Sequence, residues 1–245
     1  MNWILSGAAG FLAQLVDGAL GMAFGVTAST ILQAAGFAPA AASATVHTAE
    51  TFLTAANGLS HFKLGNFNKK LFLKLVVPGT LAAIVGAYLL SEIETPWLAP
   101  AVQCYLLATG VIVLLRAFGF KPLPNVNPAL LGAIGGFVDA IGGGGWGPIV
   151  TGTLIAGDND PRTTIGSVNA AEFFVTISQS IVFLIALKAS YISYLAPFAI
   201  GGLAAAPLAA WTCKTLSKKT QKTLYVLVGL LLTTTNATKL LAALI

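Results

Sequence analysis

The fold is decided by residues 137–148, which read FVDAIGGGGWGP. A run of four glycines does not stay inside a stable helix, since each glycine costs about 1 kcal/mol relative to alanine. Pro148 suits the first turn of a new helix, where its missing N–H is no loss. The stretch therefore predicts an apolar helix that ends in the glycine run, followed by a new helix that begins beyond it.

A weaker form of this break, GMAFG at 21–25, lies 122 residues earlier and belongs to a longer internal repeat. At that offset the chain matches itself without gaps over about residues 10–54. Farther along, an offset of 119 aligns Pro78 with Pro197. Chance similarity between two apolar, glycine-rich sequences is the alternative. The match favours a duplicated chain, which is typical of secondary transporters.

The repeat also aligns four of the eight acidic residues, which all lie inside apolar stretches. Asp17 falls on Asp139, and Glu50 falls on Glu172. A carboxylate in hydrocarbon is costly, so each is a functional-site hypothesis by default. The two aspartates directly precede the glycine breaks, and we interpret them as caps for the helices that follow.

The composition places the whole chain in a membrane. Of its 245 residues, 56% are hydrophobic and only 9% are charged, and the mean hydropathy is +0.85, whereas a soluble domain has about 25% charged residues. The net charge of +5 does not indicate nucleic-acid binding, because the basic residues are spread over short loops. Cys104 and Cys213 are interpreted as inert core residues.

We expect an all-α polytopic membrane protein made of two repeats, each with one glycine-broken helical hairpin and three transmembrane helices. The broken segments are 3–35 and 127–156, and the helices are 40–62, 71–91 and 97–116, then 162–187, 192–213 and 222–243. The two pieces of a broken segment are short for full spans, so re-entrant and spanning forms both stay open. The expected division is a first repeat at 1–118, a linker at 119–126 and a second repeat at 127–245.

The distribution of basic residues predicts that the two repeats are inverted. Four lysines lie within 63–74, which places that turn in the cytoplasm, and the acidic loop at 92–94 is then outside. In the second half the basic cluster has moved to 214–222, whereas the counterpart of the first cluster contains only Lys188. Equivalent loops therefore lie on opposite sides, and both ends of the chain would face outside.

The two breaks are the candidate anion site, because helix N-termini carry free N–H donors and about half a positive charge. Arg116 and Arg162, the only arginines, are expected at membrane edges and not at the anion. The candidate substrate-binding residues are Gly21, Gly25, Thr27, His47, Thr48, Gly143, Gly144, Gly145, Trp146, Gly147 and Asn169. The alternative is that the glycines only let helices pack closely.

Glu50 and Glu172 are the candidate proton-coupling residues. Each lies about ten residues into its helix, which is near the middle of the membrane at about 1.5 Å per residue. His47 shares a helix face with Glu50 and is able to hold a proton, but Asn169 stands at the equivalent place beside Glu172. Polar side chains at 54–61 continue the same face. The alternative role for both glutamates is to lock helices together by hydrogen bonds.

The sequence resembles the TauE/SafE sulfite exporter family, also called the toluene-sulfonate uptake permease family, over nearly the whole chain. The resemblance is carried by 137–148, by IGSVNAAEFF at 165–174, by ATVHTAE at 44–50 and by GLSHFKLGN at 58–66. It implies a duplicated polytopic fold in the plasma membrane. It also implies transport of small sulfur-containing anions, such as sulfite, sulfoacetate or other organosulfonates, with coupling to protons.

The leading hypothesis is a secondary transporter whose anion binds between the broken segments while one or both glutamates exchange protons. A passive anion channel on the same fold is the alternative; saturable flux that follows a pH gradient distinguishes the carrier. A membrane enzyme is the third reading, but it would need a catalytic Ser or His beside a buried arginine. No catalytic residue, metal or cofactor is expected, and the oligomeric state stays open.

Overall fold

The computed structural model describes residues 3–20, 22–93, 95–120, 126–157, 159–188, 191–215 and 217–244. The helices are α1 (Trp3–Leu20), α2 (Phe24–Ala34), α3 (Pro39–Lys63), α4 (Lys69–Glu92), α5 (Leu98–Arg116), α6 (Pro128–Gly142), the π-helix π1 (Trp146–Thr151), α7 (Gly152–Ala156), α8 (Pro161–Ala186), α9 (Ile192–Thr215) and α10 (Lys218–Leu244). The predicted all-α fold is confirmed, and the predicted segments agree with these bounds to within four residues. Residues 121–125, most of the predicted linker, lie outside the described residues.

Each predicted broken segment is indeed two helices separated by a short break. α6 ends because Gly143 adopts a left-handed conformation with φ of 68°, and its N–H donates to the Asp139 carbonyl. The chain resumes at Trp146 as a π-helix that contains Pro148, and it continues as α7. Short π-helical turns often occur at functional sites.

Helices of one half pack mainly on helices of the other half. α1 packs on α9 and α6 packs on α4, while α3 packs on α8 and α5 packs on α10. The repeat makes α1 equivalent to α6, α3 to α8, α4 to α9 and α5 to α10. Replacing each helix by its equivalent turns the α1–α9 contact into the α6–α4 contact. The α3–α8 and α5–α10 contacts each turn into themselves. The two halves therefore form one intertwined bundle and not two separate units.

The equivalent helices α3 and α8 run antiparallel. The hydroxyls of Thr54 and Thr176 are 3.4 Å apart, and those of Thr51 and Ser180 are 3.3 Å apart. Residues later in α3 thus contact residues earlier in α8.

α5 and α10 are antiparallel in the same way. A Cβ on Gly110 would lie 3.0 Å from that of Leu232, and one on Gly229 would lie 2.6 Å from that of Leu114.

The second broken segment begins at one end of the bundle, and the chain comes back to that same end after it. α6 starts beside the start of α4, where a Cβ on Gly132 would lie 2.8 Å from the Leu75 carbonyl oxygen. α8, which follows α7 after a short loop, also starts there, because the Ser167 hydroxyl accepts a 2.8 Å hydrogen bond from the Asn68 N–H. Of the two forms left open by the sequence, this geometry is the re-entrant one.

The outer surface of the bundle is apolar, as a membrane protein requires. Within the described residues, four helices are long and apolar enough to cross a membrane, namely α4, α5, α8 and α10. α3 is as long, but its polar side chains face the other half of the protein. Cys104 is free and lies exposed on α5, so its predicted place in the core is wrong.

Candidate functional site

The glycine breaks of the two halves contact each other directly. A Cβ on Gly25, in the first turn of α2, would lie 2.6 Å from the Gly144 Cα and 3.0 Å from the Gly143 carbonyl oxygen. Gly144 also has a φ of 152°, a conformation that side chains rarely adopt. The Ser29 hydroxyl of α2 donates to the Gly143 carbonyl. Glycine is therefore needed here both for backbone conformation and for the close approach of the two halves.

The two repeated aspartates cap the helices that leave the breaks. Asp17 Oδ1 accepts a 3.2 Å hydrogen bond from the Phe24 N–H at the start of α2, and Asp139 Oδ1 accepts a 2.9 Å bond from the Trp146 N–H at the start of π1. Both bonds span seven residues, so the two halves use the same device. The capping role expected from the sequence is confirmed. It also means that one N–H donor at each helix start is already bound to a carboxylate.

His47 joins the two halves through a buried hydrogen-bond chain. Its Nδ1 lies 2.9 Å from Glu50 Oε2, and its Nε2 lies 3.0 Å from the Asp139 carbonyl oxygen. A carbonyl only accepts, so Nε2 carries a hydrogen. One further proton must then lie between Nδ1 and Oε2, whichever atom holds it. Gln179 of α8 completes the chain, since its Nε2 donates to Asp139 Oδ2 over 3.1 Å.

The equivalent position in the second half is built differently. The Asn169 amide donates to the Ile165 carbonyl of its own helix over 2.9 Å. Glu172 is half-buried, and its carboxyl group has no hydrogen-bond or ion-pair partner within the described part of the chain. Glu50 is therefore held by His47, whereas Glu172 has no such partner among the described residues.

A cavity of about 400 Å³ lies at the junction of the breaks, between α3 and α8. It brings together several predicted site residues: Gly25, Gly144, Gly145, Gly147, Asn169, Glu50 and Glu172. It follows one face of α3 from Glu50 through Thr54 and Asn57 to His61. The polar stripe that the sequence placed beyond Glu50 is thus the wall of this cavity.

Other predicted site residues are not part of the cavity wall. Trp146 is fully buried in the apolar core, and its Nε1–H points to the Val168 carbonyl at 3.4 Å. The Thr48 hydroxyl donates to the Ala44 carbonyl over 2.7 Å, and Thr27 is buried with no hydrogen-bond partner for its hydroxyl within the described structure. Gly143 is covered by the Ser29 side chain, which a Cβ at this position would overlap. Gly21 is outside the described residues.

Two residues of α5 that the sequence analysis did not place at the site support the second break. Tyr105 of α5 donates its hydroxyl to the Gly144 carbonyl over 2.6 Å, and a Cβ on Gly142 or Gly145 would overlap this side chain. Arg116 is half-buried, and its Nη2 donates to the Pro148 carbonyl over 2.9 Å. Its guanidinium thus supports π1 and is not simply at a membrane edge. Nothing in the local sequence of α5 indicates either contact.

The electrostatics of the cavity are dominated by carboxyl groups. Asp17, Glu50, Asp139 and Glu172 all contribute to its wall, and no lysine or arginine among the described residues does. No group of three or more His, Cys, Asp or Glu residues in the described ranges is arranged to hold a metal ion. The described wall of this cavity is therefore acidic and polar.

The comparisons with known proteins agree with a membrane transporter. The family described as sulfite exporter TauE/SafE matches residues 6–235. The probable membrane transporter protein YtnM of Bacillus subtilis is 43% identical over 214 residues, which cover 82% of this chain and 71% of that protein. No solved structure matches. The chain therefore belongs to the TauE/SafE sulfite exporter family, as a multi-pass membrane transporter and not an enzyme.

Proposed function

We propose that this transporter is a proton-coupled carrier of small sulfur-containing anions, such as sulfite, sulfoacetate or related organosulfonates. The observation that carries the proposal is the cavity at the junction of the breaks. One glutamate from each half, Glu50 and Glu172, faces this cavity beside the starts of α2 and π1. The description of the family, sulfite exporter, supports the choice of anion.

The charge of the cavity supports coupling to protons. In the part of the chain that the structure describes, four carboxyl groups line it and His61 is the one basic side chain that does. An anion is repelled by ionised carboxylates at close range, and the repulsion is strong where water is scarce. The anion is therefore accommodated only when protons occupy part of this set. Proton and anion would then bind together and cross together.

Neutral polar groups are the natural partners of the anion. Because Asp17 and Asp139 each occupy an N–H at the start of a half-helix, the helix ends alone offer fewer donors than the sequence suggests. Asn57, Asn169 and Thr151 also line the cavity. We place the anion between these groups and the remaining N–H donors of the two helix starts.

The inverted repeats inferred from the loop charges fit this mechanism. α3 and α8 are equivalent in the repeat and antiparallel in space, as are α5 and α10. We infer that the two halves cross the membrane in opposite directions, as in many secondary transporters that bind substrate at the repeat interface.

Sulfite flux into proteoliposomes, with and without an imposed pH gradient, tests the proposal. We expect saturable flux that follows the gradient in the wild-type protein. Glu50→Gln and Glu172→Gln should remain folded and lose the response to the gradient. Normal, pH-dependent transport in both variants would remove the coupling role of these residues.

The same assay separates the carrier from a channel. Flux that rises in proportion to sulfite concentration, without saturation and without a response to pH, would establish the channel instead. If folded protein moves no sulfite, larger organosulfonates are the next substrates to assay.

A further inference from the structure

A second concave surface, separate from the breaks, lies on the outside of the α3–α8 contact. It has a volume of about 300 Å³ and is nearly all apolar. We call it the aromatic groove, and its main lining residues are Leu59, Phe62, Phe67, Phe72, Phe173 and Phe174. Its inner end is Thr54. Thr54 also lines the cavity at the junction of the breaks, which we call the central cavity.

The five rings form a continuous aromatic row. Phe67 packs between Phe62 and Phe72, with ring centroids 5.3 Å from each, and Phe72 lies 5.9 Å from Phe174. Phe62 and Phe174 nevertheless remain 60% and 45% exposed. The protein thus presents these rings to whatever lies outside the bundle.

The dimensions of the groove match one leaflet of a bilayer. It runs along α3 from Phe62, next to the α3–α4 turn, to Thr54, which is about 12 Å at the rise of an α-helix. Half of a hydrocarbon core of about 30 Å is of similar length. An extended acyl chain is therefore a better fit than a small polar ligand.

The outer end of the groove is strongly basic. Lys63, Lys69, Lys70 and Lys74 are all exposed around the α3–α4 turn, and the sequence has no acidic residue from 51 to 91. Asp160, at the neighbouring start of α8, is already bound to the Thr163 N–H and hydroxyl. None of these lysines forms an ion pair with a described residue, so they are available to an anion at the membrane surface.

We propose that the aromatic groove is a binding site for one anionic phospholipid. Its acyl chain lies along the row of phenylalanines, and its phosphate contacts the lysines of the α3–α4 turn. Basic pockets between transmembrane helices bind anionic headgroups in this way. The bound lipid would cover the α3–α8 contact next to Thr54, and so would be adjacent to the wall of the central cavity.

Tryptophan quenching by brominated lipids tests the site directly. The reporter is Leu59→Trp, reconstituted in phosphatidylcholine nanodiscs with equal amounts of either dibrominated phosphatidylglycerol or dibrominated phosphatidylcholine. Its signal is taken as the difference from the wild type. We expect clearly stronger quenching by phosphatidylglycerol. Phe52→Trp, exposed on α3 but outside the groove, should be quenched equally by both lipids.

Two matched pairs of lysine changes locate the headgroup. Lys70→Gln/Lys74→Gln should abolish the preference for phosphatidylglycerol at Leu59→Trp. Lys218→Gln/Lys219→Gln removes the same charge at the second basic cluster and should leave the preference intact. Equal quenching by the two lipids, or a preference that survives the Lys70 and Lys74 changes, overturns the proposal. If Leu59→Trp does not fold, Phe174→Trp reports on the same groove.

Discussion

At the scale of single residues, the two halves differ at the position three residues before the glutamate. His47 is fully buried and bonds both to Glu50 in its own helix and to the Asp139 carbonyl in the other half. Asn169, its equivalent, donates to the Ile165 carbonyl of its own helix. His47 therefore joins the two halves, whereas Asn169 does not hold the neighbouring Glu172 in the described structure.

We predict that His47→Ala destabilises the protein much more than Asn169→Ala. Loss of the imidazole leaves a buried carboxyl group without its partner, which costs about 3–5 kcal/mol. Loss of the Asn169 amide removes one ordinary hydrogen bond, worth about 1 kcal/mol. Thermal unfolding in one detergent measures both. Similar shifts in the unfolding temperature of the two variants would contradict a link between the halves through His47.

At the scale of elements, the breaks are defined by backbone contacts that only glycine permits. The first break forms with fewer glycines, and Ala23 there adopts a φ of 133°, a rare and strained conformation for alanine. Gly144→Leu, the obvious way to fill the proposed anion site, would also drive its Cβ into the backbone of Gly25. That variant therefore perturbs folding as well as binding.

Gly147→Ala is a better test of the break as part of the substrate site. A Cβ there would lie 3.3 Å from that of Met22 at the cavity wall, so the methyl group fits with a small shift and narrows the cavity. We expect the KM for the anion to rise about tenfold, the lower range for one methyl group in a fitted pocket. Gly202→Ala is the matched control, since its Cβ would meet no atom closer than 3.7 Å. An unchanged KM in Gly147→Ala would place the anion elsewhere.

At the scale of the whole molecule, equivalent residues of the two halves have opposite exposure. Asn57 and His61 of α3 line the central cavity. Their counterparts on α8, Gln179 and Phe183, are fully buried. If the proposed carrier alternates by exchanging the conformations of its inverted halves, the buried stripe of α8 would line the cavity of the other state.

Cysteine labelling measures this exchange in a background without Cys104 and Cys213. We expect Asn57→Cys to react with an impermeant thiol reagent from the side of the lysine-rich α3–α4 turn. Gln179→Cys should react only from the opposite side, and added substrate should change the two rates in opposite directions. Reaction of both positions from the same side would exclude exchange between equivalent conformations.

Much of the architecture could be predicted from the sequence, because the signals involved are local. Apolar length specifies the helices, and a glycine run followed by proline specifies a break. Each of the two aspartates caps an N–H seven residues along the chain, so the roles of Asp17 and Asp139 were readable without a structure. The repeat itself follows from the self-match of the chain.

The sequence by itself determined the class of protein, its helices, its breaks and the repeated acids. Only the tertiary structure decided how these parts meet. Several features depend on residues that are distant in the chain. They are the hydrogen bond from His47 to Asp139, the hydrogen bond from the Tyr105 hydroxyl to Gly144, and the packing that buries Trp146. Such contacts depend on the packing of one half against the other, for which a helical sequence pattern carries no local signal. For the same reason Glu50 and Glu172 look alike in sequence, although their surroundings in the folded protein are different.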